Sequence, residues 1–481
     1  MRPPQRLPGN PVLRRRIRAS QVIAVPEPPE RPSIPNVRRH AQLFVAALAA
    51  IVLAGTLLLA LPWTAADGEA TPPPDALFTA VSAAAVTGLV TVDTADHWNG
   101  LGQAVILVLI QIGGLGFAVG ASLLLLMLRR GANAYSLRDA VLLRDGAPAL
   151  SLREAVDLGR RIVRFTLLVE GTGALLLALR FWQDMPLPRA LWHGLFHAVS
   201  AYCNAGFDLQ GDFVSLAPYR ASPWVNLVIM LLIQAGALSY LALADVAAHR
   251  RWAPLPLDTK LVLLVNAILL VGGAGFFLAA EWGAALADVP TAARPLAALF
   301  QSVSARSAGY ATVSVGAMHD VTLFVWVGLM LVGGASGSTA GGVKLTTVGV
   351  VAAAVVATLR GRSEPQLFGR RLATPLVFRA MTVIALFVLA HFAVTALLAV
   401  TENLLGGREF SFIALMFEAM SALATVGLST GITPELTTPG KLLLGLAMFV
   451  GRLGPLTVVF ALQQRQGPVR YRFPEEAVRI G

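Results

Sequence analysis

Four stretches of this chain can be laid over one another: "FTAVSAAAVTGL" from Phe78, "FHAVSAYCNAGF" from Phe196, "FQSVSARSAGY" from Phe300 and "FEAMSALATVGL" from Phe417. Each reads Phe, two residues, Val or Met, Ser-Ala, then a short run to Gly and a bulky apolar residue. The glycines are Gly88, Gly206, Gly309 and Gly427, and the third copy is one residue shorter between its Ser and its Gly. Repetition on this scale limits the possible folds more than any single motif, because like units must bury like faces against one another. The chain reads as a fourfold duplication.

The segments between the copies say what each unit is made of. Uncharged apolar runs at 41–61, 99–128, 223–244, 261–280, 321–343 and 380–401 are each long enough to cross a hydrocarbon core of about 30 Å as a helix. Two more, 162–180 and 442–464, qualify despite Arg164, Glu170 and Arg452. Only 14% of the 481 residues are charged and 56% are hydrophobic, where soluble domains carry about 25% charged residues. The expected fold class is an all-α polytopic membrane protein with eight transmembrane helices, two per repeat.

The net charge of +11 is arranged for topology, not for nucleic acid. Arginines crowd residues 1–40, the connection at 129–161, Arg250 and Arg251, Arg360 to Arg371, and the tail 465–481. The opposite connections carry Asp67, Glu69, Asp93, Asp96, Asp208, Asp212, Glu281 and Asp288. This alternation is the positive-inside pattern and puts both termini in the cytoplasm. About 40 polar, Pro- and Arg-rich residues precede the first apolar run, so no cleavable signal is expected and the leader reads as disordered. Cys203 is the single cysteine. It forms no disulfide within the chain and reads as a small packed side chain.

The repeated segments are too short to span and too apolar for exposed loops. Each suits a half-length helix followed by extended backbone, re-entering from the outer side. Irregular backbone at membrane depth survives only where it is buried in protein or lines a water-filled cavity. Four such segments around one pseudo-fourfold axis can surround a pore. A glycine there turns carbonyl oxygens toward the axis and leaves the lumen open, and rings of carbonyls replace the hydration shell of a monovalent cation. The candidate filter residues are Val86, Thr87 and Gly88, Asn204, Ala205 and Gly206, Ser307, Ala308 and Gly309, and Thr425, Val426 and Gly427. Re-entrant packing without a pore is the plain alternative.

After each re-entrant segment comes a Gly-x-x-small motif: Gly113 to Gly116, Gly236 to Ser239, Gly333 to Ser336 and Gly451 to Gly454. Alone it means close helix packing; at equivalent depth in four inner helices it also suits the wall below a filter. The third inner segment, 321–359, would be nearly 60 Å if fully helical, too long for one crossing. It contains "GGASGSTAGGVKLTT" at 333–347, residues that hold a helix poorly. An irregular loop directly below a filter can plug the pore. Gly333, Gly334, Gly337, Ser338, Thr339, Ala340, Gly341, Gly342 and Lys344 are therefore candidate gate residues, with Arg452 from the fourth inner helix. A phosphate-binding P-loop is excluded, since Val343 separates Gly342 from Lys344 and Leu345 replaces the hydroxyl residue.

Together, the four glycine-bearing segments and "GSTAGGVK" resemble the Trk/Ktr/HKT superfamily of potassium transporters, from about residue 40 to the C-terminus. Eight spans bring the chain closer to the KtrB-type membrane subunit of bacterial Ktr systems than to its Trk relative. The resemblance implies four membrane–pore-loop–membrane repeats in one chain: 41–128, 162–247, 259–359 with the gating loop, and 376–464. It also implies a potassium filter at the four glycines, and Arg452 as a positive charge below the filter that raises the barrier to cation exit. Gly88 stands where plant relatives that transport sodium carry serine, which favours potassium as the permeant ion, with sodium a candidate activator. The implied partners are a second copy (a homodimer) and cytoplasmic nucleotide-binding regulatory subunits, an RCK/KtrA-like ring, in a bacterial plasma membrane.

Other intramembrane ionisable groups are functional candidates by default. Arg452 could instead bridge loop carbonyls. Lys344 pairs within the gate, or snorkels from up to about 16 Å below Gly333 if the segment between is helical. Arg306 is expected to point away from the axis and pair with a carboxylate such as Glu418. Asp208 either attracts cations at the outer mouth or is a solvated loop carboxylate, and His391 reads as packed. No catalytic cluster stands out, and the longest cytoplasmic connection, about 30 residues, is too short for a nucleotide domain. A transporter and not an enzyme is expected, with a sodium or weakly selective cation transporter as the alternative.

Overall fold

The computed structural model describes residues 37–133, 152–362 and 364–454. The leader before Val37, most of the basic connection 129–161, the end of the run 442–464 and the tail 465–481 lie outside the described residues.

The described chain is almost wholly helical. Helices α1 (Val37–Leu59), α2 (Pro73–Ala84) and α3 (Gly100–Asn133) come first. They are followed by α4 (Leu152–Phe181), α5 (Leu187–Cys203), α6 (Pro223–Ala237) and α7 (Tyr240–His249). Then come α8 (Leu257–Ala280), α9 (Arg294–Ser304), α10 (Asp320–Leu331) and α11 (Leu345–Leu359), and finally α12 (Thr374–Ala399), α13 (Phe412–Leu423) and α14 (Thr438–Leu453). A two-residue hairpin, Gln366–Leu367 against Arg370–Arg371, joins α11 to α12. Helix α12 runs on as a π turn over Val400–Leu405.

The long–short–inner order recurs four times. The short helices α2, α5, α9 and α13 carry the repeated segments. At 1.5 Å per residue even the 17-residue α5 falls short of a roughly 30 Å core. Proline near the first position of α2, α5 and α9 starts the helix where no N–H is needed, and the Ser411 side chain caps α13. The repeat phenylalanines Phe78, Phe196, Phe300 and Phe417 are all buried, each anchoring its short helix among the longer ones. Leu57, Leu231, Val271, Phe324, Leu389 and Phe392 are exposed on the outside, while Ser82, Thr87, Asn204 and Ser307 are buried within. An apolar exterior around a polar interior suits a bilayer as solvent.

By length and apolarity, α4, α8 and α12 with its π turn are each sufficient to cross a membrane, and α6 with α7 would make a fourth. The other runs read as spans are shorter apolar helices or are interrupted. One run expected to be a continuous span is broken, and the interruption expected in 321–359 is present. The run 223–244 bends by 98° between α6 and α7. There Ser239 takes a left-handed φ of +67° and its side chain restarts the helix by accepting from Ala242 N. The run 321–343 stops at Leu331, and irregular backbone fills 332–344 before α11. The glycine-rich stretch 333–347 is thus non-helical only to Lys344; its last three residues, Leu345 to Thr347, already belong to α11.

Candidate functional site

The ends of α2, α5, α9 and α13 meet at one point. Gly88, Gly206, Gly309 and Gly427 there have φ of +94°, +74°, +77° and +93°, angles that only glycine adopts freely. A Cβ at Gly206 would stand 2.8 Å from the Ala308 carbonyl oxygen, and one at Gly309 2.6 Å from that of Val426. At Gly427 it would overlap the Thr87 carbonyl oxygen, and at Gly88 that of Ala205. Each glycine therefore abuts the carbonyl preceding the next glycine, and the sequence of contacts closes on itself after four steps.

The residues two before the glycines share a second feature. Val86, Asn204, Ser307 and Thr425 have φ of +56°, +59°, +82° and +50°, uncommon for any non-glycine and more so for β-branched Val86 and Thr425. Such backbone persists only when the surroundings over-determine it, and here it recurs in all four units. The missing residue of the third copy falls before Ser307, so the unit still ends in register.

On one side of the ring lies a cavity of about 220 Å³ lined by all four glycines, with Asp93 and Asp208 as its charged residues. Asp93 is held by amides of Ala95, Asp96 and Phe213. Asp208 is half-buried; burial, together with the neighbouring Asp93 and against a hydrogen bond from Gln210 N, pushes its carboxyl up to about 7. Of the two readings offered for Asp208, the position at the mouth is the one it occupies.

On the other side, residues 332–344 double back beneath the ring. Gly333 N donates to Val343 O at 3.0 Å and Val343 N to Leu331 O at 2.9 Å. Left-handed Gly337 and Gly342 make the turns. Thr339 is the centre of the contacts. Its N–H donates to Gly236 O at 3.2 Å, its hydroxyl donates to Tyr202 O at 3.0 Å, and Asn204 Nδ2 donates to its Oγ1 at 2.7 Å. Its carbonyl accepts from Arg452 Nη1 at 2.5 Å, while Arg452 Nη2 donates to Gly113 O at 2.7 Å. Gly341 N donates to Ser307 Oγ at 2.9 Å, and a Cβ at Gly341 would overlap Thr425 Oγ1. Ala335 N donates to Ala237 O at 2.8 Å. Of the remaining candidates, Gly334 lies against Ala237, and Ser338 and Ala340 are buried within the loop. The loop thus touches the second, third and fourth units, and Arg452 links it to Gly113 of the first.

One expected pairing is corrected, that of Arg306, and for Lys344 and Arg452 the contacts bear on readings left open. Lys344 does not lie far below Gly333, because the segment doubles back; its Nζ donates to Ala340 O at 2.6 Å, a pairing within the loop in place of snorkelling. Arg306 does turn away from the axis, but its Nη1 donates to Asn266 Oδ1 at 2.6 Å and not to Glu418. Glu418 is instead filled by Ser429, Thr430 and Thr433. Arg452 bridges one loop carbonyl, Thr339 O, and the Gly113 carbonyl of α3, and that position also puts its charge below the ring. Cys203 and His391 are buried as expected.

Some residues were missed. The position after each repeat phenylalanine is polar and buried in all four copies: Thr79, His197, Gln301 and Glu418. His197 Nε2 accepts from Leu209 N at 3.5 Å and Gln301 Nε2 donates to Thr312 Oγ1 at 3.5 Å, as Glu418 reaches its own outgoing segment. A polar residue recurring at one repeat position was a visible signal. Tyr202, which seats Thr339 together with the motif glycine Gly236, had none. Among the described residues no group of three or more His, Cys, Asp or Glu could hold a metal.

Residues 35–467 match the family of TrkH cation transport proteins. The chain belongs to the TrkH family. It is 37% identical over 445 residues to the potassium/sodium uptake protein NtpJ of Enterococcus hirae, covering 92% of this chain and 97% of that one. It is also 37% identical over 402 residues to the Ktr system potassium uptake protein B of Bacillus subtilis, covering 82% and 87%. The crystal structure of the potassium transporter TrkH from Vibrio parahaemolyticus has the same fold, with a TM-score of 0.68 over 90% of this chain and 86% of that one at 18% identity. As a TrkH-family protein, the chain is a multi-pass membrane cation transporter and not an enzyme.

Proposed function

We propose that this chain is a channel-like subunit that takes up potassium across the bacterial plasma membrane, with the four-glycine ring as its selectivity filter and residues 333–344 as its gate. One observation carries the reading: four left-handed glycines in a closed ring, each against the carbonyl before the next. Carbonyls so crowded can replace water around a cation of about potassium's size. The carboxylates of Asp93 and Asp208 at the cavity favour cations there. Below the ring, the loop blocks the path, and the Arg452 guanidinium adds a positive charge that a leaving cation must pass. The relatives named for potassium uptake support potassium as the permeant ion.

The four repeats act as one pore within each chain. The basic connections and both termini face the cytoplasm, where nucleotide-binding regulatory subunits act on the gate of a homodimer, with sodium as an activator. The relative named as part of a Ktr system supports such a partner. A second reading, a sodium or weakly selective cation transporter, is favoured by the single glycine per unit and by the relative named for potassium and sodium uptake.

The test is rubidium and sodium uptake into liposomes holding the purified chain, beside Gly88→Ser. Serine there forces the Ala205 carbonyl to move. Rubidium preference lost on that change supports the filter; equal fluxes untouched by it sink the assignment.

A further inference from the structure

The four units are alike in sequence but differ in how they hold the ring. Each short helix carries the repeat serine within its last turn: Ser82, Ser200, Ser304 and Ser421, all buried. In the first and fourth units the serine is an acceptor. Gly88 N donates to Ser82 Oγ at 3.0 Å and Gly427 N to Ser421 Oγ at 3.1 Å. In the second and third units it is a donor, and the group it holds is the carbonyl after the glycine. Ser200 Oγ donates to Phe207 O at 2.8 Å and Ser304 Oγ to Tyr310 O at 2.5 Å. Phe207 O accepts a second hydrogen bond from Tyr310 OH at 3.0 Å. The equivalent carbonyls of Leu89 and Leu428 accept none among the described residues.

A carbonyl whose lone pairs face hydroxyls is held back from a cation, while one without such a partner is available to it. The two groupings are neighbours around the ring, so its outer end is divided into two halves. We propose that Ser82, Ser200, Ser304, Ser421 and Tyr310 are positioning residues of the filter. In this assignment the outermost ion position is coordinated from the first and fourth units and not from the second and third. A cation there keeps water on one flank, and discrimination falls to the ring of carbonyls beneath. This deepens the filter reading above and rests on it.

The two halves respond in different quantities. Tyr310→Phe removes one of the two hydrogen bonds on the Phe207 carbonyl, and with Ser200→Ala both go, which adds a ligand at the outer position. The rubidium concentration for half-maximal uptake falls by about three- to tenfold, the range one neutral hydrogen bond can carry. Ser82→Ala and Ser421→Ala release the glycine amides, and the rubidium-to-sodium uptake ratio falls by a similar factor; Ser82→Thr keeps the hydroxyl and restores it. Should the double variant fail to fold, Tyr310→Phe by itself still reads the second half. A half-maximal rubidium concentration that rises in Tyr310→Phe, an uptake ratio that does not fall in Ser82→Ala and Ser421→Ala, or no shift in either half while Gly88→Ser still alters the ratio, overturns the divided ring. A ratio indifferent to Gly88→Ser overturns the filter itself.

Discussion

The inner segments of the third and fourth units begin alike and end differently. In the fourth, Gly451 is pressed to the Leu423 carbonyl, four residues before the filter glycine, and α14 continues through Leu453. Gly113 against Ala84 and Gly236 against Tyr202 repeat that contact in the first and second units. In the third, α10 has already ended at Leu331, and Gly333 lies against Gly341 of its own loop. The Gly-x-x-small motif is thus a packing device in three units and part of the plug in one. The residues after the motif make the difference. Glycine costs a helix about 1 kcal/mol relative to alanine, and from Gly333 to Gly342 there are five glycines. The second unit is intermediate, because its helix keeps the contact and then breaks at Ser239.

That contrast can be broken most sharply by adding one methyl group to each side of it. Gly451→Ala drives a Cβ into the Leu423 carbonyl of a packed helix pair; overpacking of this kind costs about 1–3 kcal/mol, read as a lowered Tm in detergent, with no gain in uptake. Gly341→Ala instead collides with Thr425 Oγ1 where the loop seats. Its loop can lift away, so Tm holds while rubidium uptake without any regulatory partner rises several-fold. Equal losses of stability in both would mean that the loop is packed as firmly as a helix.

A smaller effect is expected from Arg452→Gln. It removes the charge and weakens the bonds to Thr339 O and Gly113 O that pin the loop of the third unit to the first and fourth. Hydrogen bonds from charged groups are worth about 1.5–3 kcal/mol, so resting rubidium leak should rise roughly tenfold or more. Arg452→Lys should recover part of the closure; unchanged leak in both would separate Arg452 from the gate.

The smallest effect concerns the outer mouth, where the second unit alone places a carboxylate two residues after its glycine. The Asp208 carboxyl titrates near 7 because burial disfavours its charge. It is ionised above that pH and neutral below, so uptake at low rubidium should weaken severalfold at most as pH falls from 8 to 6. Asp208→Asn should flatten the profile at its acid level. A profile unchanged by that substitution would assign the pH response to another group.

How much was legible depends on where each feature is encoded. Phe, Ser and Gly recur at fixed spacing within single segments, so the four like units, the ring glycines and the unhelical third segment could be read from the chain. The polar position after each phenylalanine was equally visible and went unread. Partners were not legible, because they depend on which elements meet: Arg306 with Asn266, Glu418 with its own outgoing segment, Arg452 with Thr339 and Gly113. Nor was the break at Ser239, since the nearby motif glycine Gly236 has its counterpart Gly113 inside an unbroken helix. Local composition alone determined where this chain cannot be helical or exposed. The tertiary structure decided which carbonyl each glycine faces and which way each serine hydroxyl points, because a hydrogen-bond partner is chosen by proximity in space and not by sequence.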